Sequence, residues 1–240
     1  MFKNIYDSDA ATWSPEGRLY QVEYATEAIH QGSTCVAAKS RTHCVICALK
    51  RSPQSELCSY QKKTFRISRN IGICVSGIIS DARKVSAHMR MEALDHEYLH
   101  DTTISAGELM ELASEKVHSY TLSASKRPLG MGFVLIGYDQ SGGHIYECWP
   151  SGVALPCRIS AMGVRHQLAK SYLDGCSQMQ ESSVDDLILT TLQALQASAK
   201  DTSLTAESIS ISVVGRDCDF HDCSEREISH FIDVLNAPPS

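Results

Sequence analysis

Long apolar runs are missing from this 240-residue sequence. The longest, Cys44 to Leu49 and Met131 to Ile136, fall far short of the ~20 residues that cross a bilayer, so no membrane span or membrane partner is expected. Met1-Phe2-Lys3-Asn4 leads into no apolar stretch, and no signal peptide is expected. There is no excess of basic charge. Twenty-two Lys and Arg against 28 Asp and Glu give 22 − 28 = −6, which argues against a general nucleic-acid binder. No Pro/Gly/Ser linker, repeat or low-complexity tract divides the chain. Aromatic residues are sparse at 7%, but hydrophobic residues reach 43% and charged ones 21%, the balance of a folded globular chain and not of a disordered one.

Cysteine is not scarce. Ten are spread along the chain, at 35, 44, 47, 58, 74, 148, 157, 176, 218 and 223. Several lie in apolar, strand-like segments, where a free thiol behaves as a small hydrophobe. Reduced thiols fit this pattern better than a disulfide framework.

The apolar period alternates in blocks. Leu19, Val22, Ala25 and Ile29 recur every three or four residues, predicting a helix that stops at Gly32. Residues 34–39 and 43–49, then 65–67 and 71–76, read as two strand pairs. Ser80 can cap a helix over 81–98, and Ser105 with Glu108 forms a capping box that opens another. A second strand group follows at 131–138, 144–149 and 153–162, with a hairpin turn at Ser141-Gly142-Gly143. Helices over 165–173 and 184–200, a strand over 208–214, an acidic segment and a helix over 225–235 close the chain. Strand groups and helix pairs in blocks predict an α+β fold, with two face-to-face sheets between two helix layers.

His96-Glu97-Tyr98-Leu99-His100 matches H-E-x-x-H. Two imidazoles four residues apart on a helix could hold zinc while Glu97 activates water; His118 and His144 are candidate third ligands, but no recognised spacing supports either. The motif stands where the helix runs out, which also fits a polar helix end. Cys44 and Cys47, three apart on a strand, point to opposite faces and read as core residues. Cys218, His221 and Cys223 read as loop thiols. Ser59-Tyr60-Gln61-Lys62 and Ser123-Ala124-Ser125-Lys126 match S-x-x-K without the supporting motifs, and read as surface loops. Gly130-Met131-Gly132 opens a strand and so presents no phosphate-binding helix N-terminus. The basic run Lys62, Lys63, Arg66 and Arg69 reads as a solvated face, although one cation at a strand start can anchor an anion.

Tyr6-Asp7-Ser8-Asp9, Trp13-Ser14-Pro15-Glu16-Gly17-Arg18-Leu19, Gln21-Val22-Glu23-Tyr24-Ala25 and Glu27-Ala28 resemble the N-terminal signature of α-type proteasome subunits. Gly32-Ser33-Thr34, Ala48-Leu49-Lys50-Arg51, Gln61-Lys62-Lys63, Ser76-Gly77-Ile78, Asp81-Ala82-Arg83, Gly137-Tyr138-Asp139 and 204–209 continue the resemblance in order. It implies a four-layer α-β-β-α sandwich, the Ntn-hydrolase fold, with a gate segment over 1–15 and a single domain over 16–240.

Catalytic β relatives attack with an N-terminal threonine whose free amine serves as base. The matching place here is Ser33, inside the chain, with Lys50 where the nearby aspartate stands and Lys63 at the active-site lysine. The resemblance therefore implies no catalytic residue, metal or cofactor in this chain. It implies a gate built on Tyr6, Asp7, Pro15 and Tyr24, with Ser8 where the family's gate motif has arginine. It further implies a pocket for the C-terminus of a regulatory ATPase at Lys63, Glu23, Gly77 and Ile78. The implied partners are other α subunits in a heptameric ring, the β ring and regulatory activators, in cytoplasm and nucleus, for ubiquitin- and ATP-dependent degradation. Two rival readings are a zinc metallopeptidase using His96, Glu97 and His100, and a free-standing adaptor that binds peptide C-termini.

Overall fold

A computed structural model describes residues 5–51, 61–176, 179–199 and 204–236. Helix α1 (Tyr20–His30) precedes strands β1 (Cys35–Lys39), β2 (His43–Leu49), β3 (Thr64–Arg66) and β4 (Ile71–Gly77). Helices α2 (Ile79–His100) and α3 (Ala106–His118) lead to β5 (Met131–Asp139), β6 (Gly142–Cys148), β7 (Ala154–Cys157) and β8 (Ile159–Met162). Then come α4 (His166–Asp174), α5 (Val184–Ala199), β9 (Ile209–Gly215), β10 (Cys218–Asp222) and α6 (Glu225–Asn236).

The strands form two five-stranded sheets, ordered β10-β9-β2-β1-β8 and β3-β4-β5-β6-β7. Central strands are apolar on both faces because each face has its own core. On β4 and β5, Ile71, Ile73, Val75, Met131, Phe133 and Leu135 pack against α2 and α3. On β1, β2 and β9, Val36, Ala38, Val45, Cys47, Ile209 and Ile211 pack against α4, α5 and α6. The residues between, among them Cys35, Ala37, Cys44, Ile46, Cys74, Val134 and Ile136, meet in a third core between the sheets. Four layers in the order helix, sheet, sheet, helix follow directly from this alternation. Cys44 and Cys47 face opposite sides, as their spacing predicts.

Three readings need correction. The strand expected over 153–162 is two strands in two sheets: Cys157 pairs with Ile145, Ile159 pairs with Ala38, and Arg158 carries the crossing. The acidic segment whose cysteines read as loop thiols contains β10, with Phe220 buried and its neighbours outward. Ser80 lies inside the first turn of α2, whose N-cap position is Ile78 with no side-chain cap. Ser105 does cap α3, its Oγ accepting from the Glu108 N–H at 3.2 Å.

Candidate functional site

The end of β1 nearest α1 is crowded with backbone. A Cβ on Gly32 would collide with Ser76 Oγ and the Gly77 amide, and one on Gly163 (φ +103°) would strike the Ser33 carbonyl. These glycines let three chain segments converge on Ser33. The Gly32 carbonyl accepts from the Val164 N–H at 2.7 Å. Thr34 Oγ1 donates to the Val164 carbonyl at 2.6 Å, and Ser76 Oγ donates to the Ile29 carbonyl at 3.1 Å. Ser33 is thus locked in mid-chain, its nitrogen an amide and not an amine.

Lys63 points at this junction. Its Nζ donates to Ser33 Oγ at 2.7 Å and to the Ser33 carbonyl at 3.1 Å. The side chain is 4% exposed. Of the basic run over 62–69, Lys62 and Arg69 are exposed, as a solvated face requires, whereas Lys63, the cation at the start of β3, is turned inward. Burial pulls the Lys63 ammonium below its ordinary value, and nearby Cys74 and Cys35 oppose the shift. Burial pushes the Cys74 thiol well up, so this is no thiolate nucleophile. A cavity of about 380 Å³, lined by Lys50, Lys62, Lys63, Thr64, Ser210 and Asp222 among others, opens beside Lys63.

Of the other three residues expected at the docking pocket, Gly77 and Ile78 lie close to the junction and Glu23 lies farther along α1. Gly77 has φ +99°, and a Cβ there would run into the Gly130 carbonyl. Ile78 is 42% exposed, and its N–H donates to that carbonyl at 2.8 Å. Glu23 is seven residues from His30, ~10 Å by helix rise. Arg18 pairs with it through Nε–Oε1 at 2.8 Å and Nη2–Oε2 at 2.5 Å, which holds the carboxyl below its ordinary value.

A clamp that local sequence patterns do not signal fixes the Gly77–Ile78 segment. Asp81 accepts Arg127 in bidentate fashion, at 2.6 and 2.8 Å, and also the Gly130 N–H at 3.1 Å. Desolvation alone would raise the Asp81 pKa; the guanidinium and the amide outweigh it and hold the carboxyl below its usual value. Forty-six residues separate the partners.

The N-terminal signature builds a second feature over α1. Tyr6 and Asp7 lie in a 3-10 turn (Ile5–Asp7). Gln21 Nε2 donates to the Asp7 carbonyl at 2.5 Å, and Tyr24 Oη lies 3.4 Å from Asp7 Oδ2. Desolvation first, then the Asp7 carboxylate, hold the Tyr24 hydroxyl above its ordinary value. Pro15 sits second in a reverse turn closed by Gly17 N–H to the Ser14 carbonyl at 2.9 Å, its favoured place. Gly17 follows at φ +76° with open space where a Cβ would stand. Of the four expected gate residues, Asp7 and Tyr24 thus face each other, Tyr6 adjoins Asp7, and Pro15 stands in the turn that leads into α1. Residues 1–4 lie outside the described residues.

The zinc motif assembles no centre. His96 and His100 lie with ring centroids 4.6 Å apart and planes tilted by 49°. His96 Nδ1 faces the Thr102 carbonyl at 3.0 Å and Nε2 faces Glu108 at 3.5 Å, so both its nitrogens are engaged. Among the described residues no three His, Cys, Asp or Glu side chains are grouped to hold a metal. His118 and His144 are engaged elsewhere, by the Ser151 carbonyl and by Ser141 with Asp139. Cys218 and His221 stand 3.3 Å apart, on β10 and not in the expected loop. Ser59 and Tyr60 fall outside the described residues. Ser123 and Ser125 bond to each other in an exposed loop.

Comparison with known proteins bears on both features. The sequence profile of the proteasome subunit family matches residues 29–214. The N-terminal signature profile of its α-type members matches residues 6–28. An alpha type-6 proteasome subunit of Schizosaccharomyces pombe is 45% identical over 237 residues, covering 98% of this chain and 87% of the relative. Alpha type-1 subunits of Dictyostelium discoideum and Trypanosoma brucei rhodesiense are 37% and 36% identical, covering 98% and 100% of this chain and 96% and 91% of theirs. The opening Met1-Phe2-Lys3-Asn4 and Trp13 look most like type-1, and relatives bearing both names are similar to the chain throughout. With the four-layer fold and the signature helix in place, the chain belongs to the proteasome subunit family, as an α-type member.

Proposed function

We propose that this chain takes its place in the outer ring of the 20S proteasome core as a non-catalytic subunit, helping to gate substrate entry and to dock activators. The observation that carries the non-catalytic role is Ser33. Its hydroxyl has a lysine partner, but its nitrogen is bound to Gly32, whose carbonyl is tied to Val164. Without a free α-amine there is no base of the kind N-terminal nucleophile chemistry needs.

Assembly is supported by the surface of α2. Met91, Leu94, Tyr98 and Leu99 are 53%, 65%, 88% and 72% exposed. Three of them recur at i, i+3 and i+7, so one helix face is apolar and uncovered, as expected of a ring member. The gate role rests on residues 5–15 lying over α1 through Asp7, Gln21 and Tyr24. On this reading 1–15 forms the gate segment and 16–240 the ring-forming domain. The docking role rests on Lys63, whose buried ammonium beside a cavity suits the C-terminal carboxylate of a regulatory ATPase. Gly77 and Ile78 would take the preceding backbone. The working location would be cytoplasm and nucleus, in ubiquitin- and ATP-dependent degradation.

Native mass spectrometry of complexes recovered through a tag on this chain tests the reading. Recovery in a core of α and β subunits is the expected result. A stable monomer would favour the free adaptor, and a lone chain with one equivalent of zinc would favour the metallopeptidase.

A further inference from the structure

At the end of β1 away from Ser33, the molecule gathers positive charge. Lys39, Arg41 and Arg158 line one cavity of about 370 Å³, together with Ser40, Ser141 and Gln180. The described lining contains no carboxylate, in a chain whose net charge is −6. Arg41 has Glu181 at 3.7 Å, whereas no carboxylate pairs with Lys39 or Arg158 among the described residues, and a compact anion relieves the repulsion between the cations.

Each cation is placed by the fold. Arg158 is the single residue between β7 and β8, and both its neighbours are paired, Cys157 to Ile145 and Ile159 to Ala38. Its Cα is therefore pinned where the chain passes from one sheet to the other. Lys39 Nζ donates to the Gly143 carbonyl at 2.8 Å, which fixes its direction and leaves two of its hydrogens. The Arg41 N–H donates to the Gln180 carbonyl at 3.1 Å. Of the carboxylates at the margin, one is committed elsewhere, one pairs with Arg41 and one lies next door. Asp139 accepts from Ser141 and faces His144. Glu181 pairs loosely with Arg41 at 3.7 Å. Asp174 lines an adjoining cavity of about 240 Å³ that shares Lys39 and Arg158.

We propose that this cleft is a binding site for a phosphoryl oxyanion, held by the planar fork of Arg158 with Lys39 and Arg41. A guanidinium fork matches two phosphate oxygens at once, and an ammonium adds a point charge. Five residues of β1, ~16 Å, separate it from the Lys63 junction, so it is a second site and independent of activator docking.

The test uses core complexes carrying either the natural chain or the variant Arg158→Met. Complexes are imaged by electron cryomicroscopy with millimolar inorganic pyrophosphate. Density bridging Arg158 and Lys39 in the natural chain, lost in the variant, is one expected result. A second arm measures anisotropy of a labelled Gly-Ser-phosphoSer-Ser-Gly peptide against its unphosphorylated twin. At least tenfold preference for the phosphorylated form, abolished by Arg158→Met, assigns the phosphoryl group to a modified partner. Pyrophosphate density without that preference assigns it to a free oxyanion. An empty cleft in the natural chain together with equal binding of the two peptides overturns the proposal.

Discussion

Lys63 Nζ and Ser33 Oγ stand 2.7 Å apart, and the Ser33 nitrogen beside them is an amide and not an α-amine. The pair has the hydroxyl and the cation of a hydrolytic site and lacks the base, so Ser33→Ala is expected to leave peptide hydrolysis by the assembled core unchanged. The chain itself would lose one hydrogen bond, about 1 kcal/mol of stability. Fluorogenic peptide turnover by cores carrying the variant is the measurement, and a large loss would reinstate Ser33 as a nucleophile.

Replacing Lys63 has two separable effects. Lys63→Ala should reduce activator-stimulated hydrolysis several-fold while basal turnover stays. It also leaves the Ser33 carbonyl without that donor, at a cost of about 1–3 kcal/mol. Stimulation titrated with activator, in parallel with thermal unfolding, distinguishes the two. An unchanged stimulation curve would remove this pocket from activator docking and leave assembly untouched.

The Asp81–Arg127 clamp predicts an acid-side signature. The folded Asp81 pKa lies below the ordinary value of 3.8. Its stabilisation is therefore complete above the unfolded value and disappears as pH falls through the lower, folded one. Asp81→Asn should destabilise the chain near neutrality by about 1–3 kcal/mol, with a smaller difference from the natural chain at low pH. Unfolding midpoints across that range check the sign. A constant gap would show that the charge is not what matters.

The apolar face of α2 predicts an assembly defect without a folding defect. Leu94→Glu, on a residue 65% exposed, should leave the circular dichroism of the chain unchanged. It should lower its incorporation into the core several-fold. Normal incorporation would mean that this face is not covered in the complex.

Metal content separates the rival enzyme reading. With both His96 nitrogens engaged, purified core should show no zinc that depends on His96→Ala or His100→Ala, by plasma emission spectrometry. Stoichiometric zinc lost in those variants would reverse the conclusion.

Much of the layering could be read in the chain because strands such as β2 and β4 are apolar on both faces, which marks a sheet buried on both sides. The β7–β8 break was not legible. Arg158 interrupts no apolar period, and only pairing to different sheets reveals the crossing. In β10 a single inward residue, Phe220, gives too short an alternation to recognise. Lys63 sat in a basic run that local chemistry assigns to solvent, and the fold alone turns it inward. The gate and docking residues were visible only through family resemblance, because their partners are far apart in sequence: Asp7 with Tyr24, Lys63 with Ser33, Asp81 with Arg127.

The packing around Gly32 also decides where the N-terminal segment could pivot. With no room for even a methyl group between Gly32, Ser76 and Gly77, the base of α1 is a fixed mount. Gly17, in the left-handed region, lies inside a turn that is closed across it by the Ser14 N–H to the Arg18 carbonyl at 2.9 Å and the Arg18 N–H to Ser14 Oγ at 3.1 Å. Any swing of residues 5–14 would therefore have to open that turn first, like a latch on a stationary post, while α1 stays seated on the sandwich.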